Sequence, residues 1–477
     1  MMDFVNSSVD AYLADNGVSY NGWTIAAVDD GGDATVVAAG RGLVATKDYE
    51  PGDVLFVDTP LIVSPRVTGP ASPPPVCPVC YTTATALAGC PGGCGLPVCG
   101  GPCARHPGHS DECRYVRSMG PKTGAGRWSA GLYNGIVAVR ALTVLKDGPY
   151  ACFLDVLQKK STDMPVFEVE ELKKNINMKL TEDDERIMTV ACKIMDANCF
   201  ETITYRRDKL ISLKGLYPVA SFMNHSCVPN TMHNFDGTFK MTVKASLPIH
   251  KGQEITTTYT HLIWPTAIRQ NHLLTSKQFV CTCIRCCDPK EFGTQLSALN
   301  CIIQNCDGCI FPINPLDKTS FWQCSLCAKL VTHVEIKSFY KNIESLMNSI
   351  NVFCPKTLRT ILDAFNIRKD GPYVVDLRLK FIWKSKNTSL NLEQLLYKEK
   401  SCVELLDLIH KLGLGQCRLL GLISLELSKV IEEKVSRFNW NTKTLNIFNN
   451  QIILLRQKST AILDGDDNTK ISVDDNN

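Results

Sequence analysis

No cysteine occurs before Cys77, although the chain holds 23 of them. No run of 18 or more apolar residues occurs either, so a membrane-spanning helix is not expected. The opening MMDFVNSSVD has no basic stretch leading into an apolar one, so a secretory leader is not expected. Charge of one sign is not in excess. With 51 Lys and Arg against 48 Asp and Glu the net charge is +3, which gives no reason to expect direct nucleic-acid binding. No long internal repeat is evident. What remains is an ordinary globular composition, 44% hydrophobic and 21% charged, in 477 residues. That length suits about three domains.

These absences put the cysteines in a reducing compartment, where paired spacing favours metal sites over disulfides. Sequon matches at Asn6 and Asn224 read as chance on the same ground. The first crowd runs Cys77-x2-Cys80, Cys90-x3-Cys94, Cys99-x3-Cys103 and His109-x3-Cys113. Eight nitrogen and sulfur donors divide into two closed tetrahedral sites, the filling of structural zinc. So short a segment builds no stable core alone, and metal can supply the folding energy. His106 is a spare imidazole that competes with His109. The second crowd opens with Cys281-x-Cys283-x2-Cys286, one donor short of closure, and Cys227 is the natural fourth. Farther on, Cys306-x2-Cys309 and Cys324-x2-Cys327 have zinc-ribbon spacing, with Cys301 competing with Cys309 for the last place.

Between the crowds the text changes period. Gly40 to Pro60 alternates apolar and polar residues around Pro51-Gly52, the pattern of a β-hairpin. Pro70 to Pro75 reads as a stiff linker. From Arg114 to about Ala197 apolar spacing is helical, with Thr181 as an N-cap. Short strands return over 216–260, helices over about 335–456, and the polar tail 464–477 reads as disordered.

The loop NHSCVPN, Asn224 to Asn230, packs two amides, an imidazole and a thiol into one short stretch. Neither a solvated turn nor a core segment needs all of these. Around it stand Gly40-Arg41-Gly42-Leu43, Asn198-Cys199-Phe200, Glu254 to Tyr259 (EITTTY) and Cys281 to Cys286 (CTCIRC). Five motifs in this order resemble the SET-and-MYND (SMYD) protein lysine methyltransferases, in particular their arthropod-type branch.

The resemblance implies an α+β fold, a β-rich SET core split by an inserted MYND zinc finger and a helical insert. Its segments would be 1–76, the N-terminal part of SET; 77–113, the finger; 114–197, the helical insert; and 198–265, the SET core. The zinc-binding post-SET segment 266–290, a zinc-ribbon-like segment 291–334 and a helical, TPR-like domain 335–463 would follow. The activity implied is methyl transfer from S-adenosylmethionine to a lysine of a histone or other protein, linked to transcriptional regulation, by a monomer of nucleus and cytoplasm. Gly40, Arg41, Gly42, Leu43, Asn198, Asn224, His225 and Phe279 would contact the cofactor, and Tyr259 would orient the lysine amine. Trp264 and Tyr259 would line the lysine channel, with Trp264 narrowing it. Four zinc ions are implied: two in the finger, one on Cys227, Cys281, Cys283 and Cys286, and one in the following Cys segment. Proline-rich partner peptides would dock on the finger, which as an insertion with its own metal is expected to be separable from catalysis. Taken singly, His225 would be a core imidazole and Tyr259 a strand aromatic; their motifs assign them otherwise. Two departures stand out. The finger's second pair is one residue longer than the family's usual spacing, and Lys277 stands where some relatives carry an aromatic. They leave a second reading, a catalytically weak adaptor that binds partner proteins. A zinc hydrolase is excluded, because sites filled with thiolates leave no position for water.

Overall fold

A computed structural model describes residues 2–16, 22–28, 40–66, 76–83, 87–124, 126–146, 148–206, 209–348 and 354–465. The linker expected at Pro70 to Pro75, and the expected disordered tail from residue 466 onwards, lie outside the described residues.

The fold is α+β. Among the described residues four strands precede the finger: β1 (Trp23–Val28), β2 (Gly40–Ala45), β3 (Val54–Asp58) and β4 (Ile62–Pro65). The finger contributes β5 (Ala88–Gly89), β6 (Pro97–Val98) and a helix, Pro107–Ser118. After the helical insert come β7 (Phe200–Arg206), β8 (Lys209–Leu216), β9 (Asn224–His225), β10 (Thr231–Phe235), β11 (Met241–Ala245) and β12 (Glu254–Thr257). They form small sheets in the orders β1-β2-β12-β9, β10-β11-β3 and β4-β8-β7.

The hairpin expected around Pro51-Gly52 does not form. Gly52 N–H donates to Ala245 O and Ala245 N–H to Asp53 O, each at 2.9 Å. The turn therefore hands β3 to β11, while β2 stays between β1 and β12. Local alternation sets which residues face inward, but a strand joins whichever edge satisfies its backbone groups.

β9 and β12 run parallel, with Asn224 opposite Thr256 and His225 opposite Thr257. Two residue pairs are a weak ladder, and Asn230 extends it. Its buried amide accepts from Thr256 N–H and donates to Glu254 O, both at 2.8 Å. The second asparagine of NHSCVPN thus fastens the loop to β12.

The insert is helical as expected. Ile136–Leu145 packs on Glu182–Asn198, whose N-cap Thr181 accepts from Asp184 N–H at 3.1 Å. Leu142 and Met188 belong to the same core as Leu43 and Met223 of the strands. Cys90, Cys94, Leu96 and Val98 of the finger lie in that core too. Burying each Leu, Val or Met among them contributes about 1.5–3 kcal/mol. The finger is therefore built into the SET core, against the expectation of separability.

Beyond the post-SET segment, β13 (Leu299–Asn300), β14 (Cys309–Pro312), β15 (Trp322–Cys324) and β16 (Leu330–Val331) form one antiparallel sheet. Helices follow, of which Leu392–Lys411 opens with an Asn391/Gln394 capping box and packs on Arg418–Arg437. These helices bury a second core around Leu405, Ile409, Ile423 and Ile462. Their link docks on the end of β11, where Gln416 N–H donates to Ser246 O at 2.8 Å. A Cβ on Gly415 would lie 2.1 Å from that oxygen, so only glycine fits. No helix among the described residues is long and apolar enough to cross a membrane.

Candidate functional site

Four clusters bring their donor atoms within 4.8 Å of one another. They are Cys77, Cys80, Cys99 and Cys103; Cys90, Cys94, His109 and Cys113; Cys227, Cys281, Cys283 and Cys286; and Cys301, Cys306, Cys324 and Cys327. In each, four nitrogen or sulfur donors match a closed tetrahedral site.

The last set corrects one assignment: Cys301, and not Cys309, joins Cys306, Cys324 and Cys327. β14 starts at Cys309, and extended backbone sends successive side chains to opposite faces. Ile310 turns inward to pack with Cys301 and Cys324, so Cys309 leaves on the other face. Its sulfur instead meets Arg368 Nη1 at 2.6 Å and Gln295 Oε1 at 3.6 Å. His106 is not a donor either, because its Nδ1 accepts from Gly108 N–H at the helix N-cap. His109 faces Cys90 with Nε2 at 3.3 Å and Glu112 with Nδ1 at 3.8 Å. Burial works against the Glu112 charge, but Arg140 beside it holds the carboxyl below its usual range.

The third cluster carries evidence of thiolate charge. Arg269 and Arg285 are fully buried and share Glu291, at 2.7 and 3.0 Å. Two guanidiniums and one carboxylate leave a net positive charge, which is costly in the interior. Arg269 Nε donates to Cys227 Sγ at 3.2 Å and Nη2 to Cys286 Sγ at 3.5 Å, so metal-bound thiolates would offset it. His225 adds to this. Its Nδ1 accepts from Tyr259 N–H at 3.0 Å, so in the neutral ring Nε2 carries the hydrogen, 3.2 Å from Cys227 Sγ. Burial pushes the His225 pKa down to about 4, which keeps the ring neutral. Cys227 therefore receives two N–H donors, as a thiolate would. The His225 ring is a strut between that sulfur and the Tyr259 backbone, which leaves only its main chain to meet a cofactor.

The Asn224 side chain reaches the other way. Nδ2 donates to Arg41 O at 3.1 Å and Glu254 Oε1 at 2.7 Å, tying GRGL to NHSC. The β2–β12 ladder ends at Leu43 opposite Ile255, so Gly40, Arg41 and Gly42 lie beyond it on that side. A Cβ on Gly42 would come within 2.6 Å of Glu254 Oε1. Leu43 is buried in the core, and Arg41 lies over the Phe222 ring at 6.0 Å. Phe279 packs beside His225 and Tyr259, with ring centroids 6.0 and 6.4 Å away. Asn198 ends the helix Glu182–Asn198 and donates to Gln158 O and Ile194 O, apart from Asn224.

On the other side of Tyr259 lies a cavity of about 580 Å³. Asn198, Phe200, Met223, Tyr259, Trp264 and Lys277 are among its lining residues, whereas GRGL, Asn224, His225 and Phe279 are not. The Tyr259 hydroxyl donates to Met223 O at 2.7 Å, and burial raises its pKa above the usual phenol value, so it stays protonated. With its one proton committed to a carbonyl, the oxygen can present lone pairs to the cavity. Trp264 packs between His261 and His272, tilted to one and edge-on to the other, with centroids 4.4 and 5.6 Å away. Sequence reasoning missed the Met223 carbonyl, a backbone group with no signature of its own. It also missed the Arg269–Glu291–Arg285 set, although an arginine inside CTCIRC is a signal in hindsight.

A family model described as the SET domain matches residues 40–260. The Drosophila melanogaster SET domain-containing protein SmydA-8, isoform B, is 28% identical over 422 residues, 82% of this chain and 88% of that protein. N-lysine methyltransferase SMYD2 of Bos taurus is 27% identical over 263 residues, 52% of this chain and 58% of its own. Histone-lysine N-methyltransferase ASHR1 of Arabidopsis thaliana is 23% identical over 323 residues, 64% of this chain and 66% of its own. The threaded NHSC loop and the cysteine sets on both sides of it point the same way as these likenesses: the chain carries a SET-domain match over residues 40–260 and is similar to SET-and-MYND proteins.

Proposed function

We propose that the protein is an S-adenosylmethionine-dependent protein lysine N-methyltransferase. Its substrates would be histones or other proteins, and its role linked to transcription in nucleus and cytoplasm. Two relatives carry methyltransferase names, one for histone lysine, which supports the reaction class. The observation that carries the reading is the Tyr259 hydroxyl, which donates to Met223 O at the wall of a cavity able to take a lysine side chain.

When bound, S-adenosylmethionine supplies a sulfonium methyl group. Gly40 to Leu43 and the main chain of Asn224 and His225 would hold the cofactor, next to Phe279 and across the tyrosine from the cavity. Tyr259 then has one task. Its oxygen accepts an N–H of the incoming amine and so aims the nitrogen lone pair. Free lysine is protonated at neutral pH, with a pKa near 10.4. The apolar walls at Phe200, Met223 and Trp264 disfavour the charged form and would release that proton before transfer. The zinc clusters take no part in the chemistry; the one at Cys227 would keep His225, and through it Tyr259, in place. Proline-rich peptides would dock on the finger, apart from this machinery.

Isothermal titration with S-adenosylmethionine, followed by methyl transfer onto a proteome array, tests the reading. Affinity in the micromolar range with labelled lysines supports it. A folded, zinc-replete protein that binds no cofactor would overturn it and leave the adaptor.

A further inference from the structure

Of the three cations lining the cavity beside Tyr259, one is held by a carbonyl and an aromatic ring and not by a carboxylate among the described residues. Lys277 Nζ lies 5.2 Å from the Tyr259 ring and donates to Ala197 O at 2.6 Å. It makes no ion pair among the described residues. The other two cations of the cavity are paired, Arg66 with Glu201 at 3.1 Å, and Lys214 with Asp196 at 3.7 Å and Glu168 at 3.8 Å. The three imidazoles lining it, His233, His261 and His272, are held below the usual range, in each case first by burial, and are neutral at pH 7. Burial also lowers the Lys277 pKa, while Cys199 and Asp196 work to keep its proton and Lys160 works against it. Glu254 is the acid that acts on Tyr259 itself.

Resting on the methyltransferase reading, we propose that Lys277 is a specificity-determining residue: its ammonium admits neutral amines beside Tyr259, rejects quaternary ones, and so stops methyl transfer short of the trimethyl state. In each transfer the amine lone pair forms the new N–C bond as the methyl's bond to the sulfonium sulfur breaks. The sulfur leaves as a neutral thioether, and the positive charge passes to nitrogen. While an N–H remains, it can donate to the Tyr259 oxygen, and its proton can later leave to solvent. Each added methyl removes one such N–H, and the trimethylated nitrogen has none. Its fixed charge then faces Lys277 with no hydrogen bond to offset it. The same field favours the deprotonated form of an entering amine.

The test compares the full wild-type chain with Lys277→Met and Lys277→Arg, using butylamine and butyltrimethylammonium as lysine-end probes in NMR titrations. Lys277→Gln, which keeps a donor for Ala197 O, replaces the methionine variant if that one melts early. Wild type and Lys277→Arg are expected to bind butylamine with a low pH midpoint and to exclude butyltrimethylammonium. The neutral variant is expected to bind the quaternary probe at least about tenfold more tightly, and to shift the butylamine midpoint up by about one pH unit. On a methylated protein, mass spectrometry would then show trimethyl-lysine only with the neutral variant. Equal quaternary affinity and equal midpoints in folded proteins overturn the proposal. If the wild type transfers no methyl group while the probe selectivity holds, the function reading fails and the role of Lys277 stands.

Discussion

Two side chains show how one proton can organise a site. Tyr259 gives its hydroxyl proton to Met223 O, so replacing it with phenylalanine removes one oriented oxygen and keeps the ring packing. Loss of about 3–4 kcal/mol of transition-state contact slows transfer by two to three decades. Cofactor affinity and melting temperature should hardly move, because GRGL and NHSC lie on the other side. Single-turnover rates measured beside thermal melts check this, and a folded variant with normal turnover would remove Tyr259 from the mechanism. Asp58 is the second case. Its buried carboxyl accepts from Val219 and Ala220 N–H at 2.9 and 2.8 Å through Oδ2, and its Oδ1 meets the Tyr12 hydroxyl at 3.2 Å. Tyr12 has one proton and a second acceptor in Thr59 O, and a protonated Asp58 resolves that conflict. Burial pushes the Asp58 pKa up to about 7. A carboxyl raised in this way stabilises the fold at low pH, and that contribution is lost as pH climbs from the ordinary carboxylate range through about 7. Each unit in that window costs about 1.4 kcal/mol. An amide in place of the acid keeps the same bonding pattern at every pH, so Asp58→Asn should flatten the fall in melting temperature between about pH 4 and pH 7. Parallel curves for variant and wild type would mean that Asp58 is ionised throughout.

At the scale of elements, the post-SET turn and the threaded loop act as one part. Cys227 belongs to the NHSC loop by chain position and to the Cys281–Cys286 cluster by geometry, and the His225 ring joins both to Tyr259. Cys283→Ser touches none of the proposed cofactor contacts, yet should lower zinc content by one ion per chain and weaken S-adenosylmethionine binding by about tenfold. Metal analysis with isothermal titration decides this, and wild-type affinity in a folded, zinc-depleted variant would refute the coupling. NHSCVPN was legible as a two-faced loop because amides, imidazole and thiol in seven positions serve no single environment. The strut role of His225 was not legible, since it depends on which ring nitrogen meets Tyr259, thirty-four residues away.

In the whole molecule, the finger, the insert and the strands share one core, and a part-buried arginine ties them together. Arg140, on the insert, bonds Glu112 and Pro78 O of the finger and Val63 O of β4. Arg140→Met strands Glu112 and should cost about 3–5 kcal/mol, read from denaturant midpoints at unchanged slope. Replacing 77–113 with a Gly/Ser linker should likewise abolish cooperative melting, where a separable finger would leave it intact. By itself the sequence determined the grouping of most of the metal-donor residues and the helical periods, because close Cys spacing and apolar periodicity are local properties of the chain. It also carried the family resemblance, since five motifs in order need no coordinates to be recognised. Only the tertiary structure decided that Cys301 displaces Cys309 and that β3 leaves β2 for β11. In each of these, two locally equivalent partners compete, and the winner depends on edges, faces and charges brought together from far along the chain.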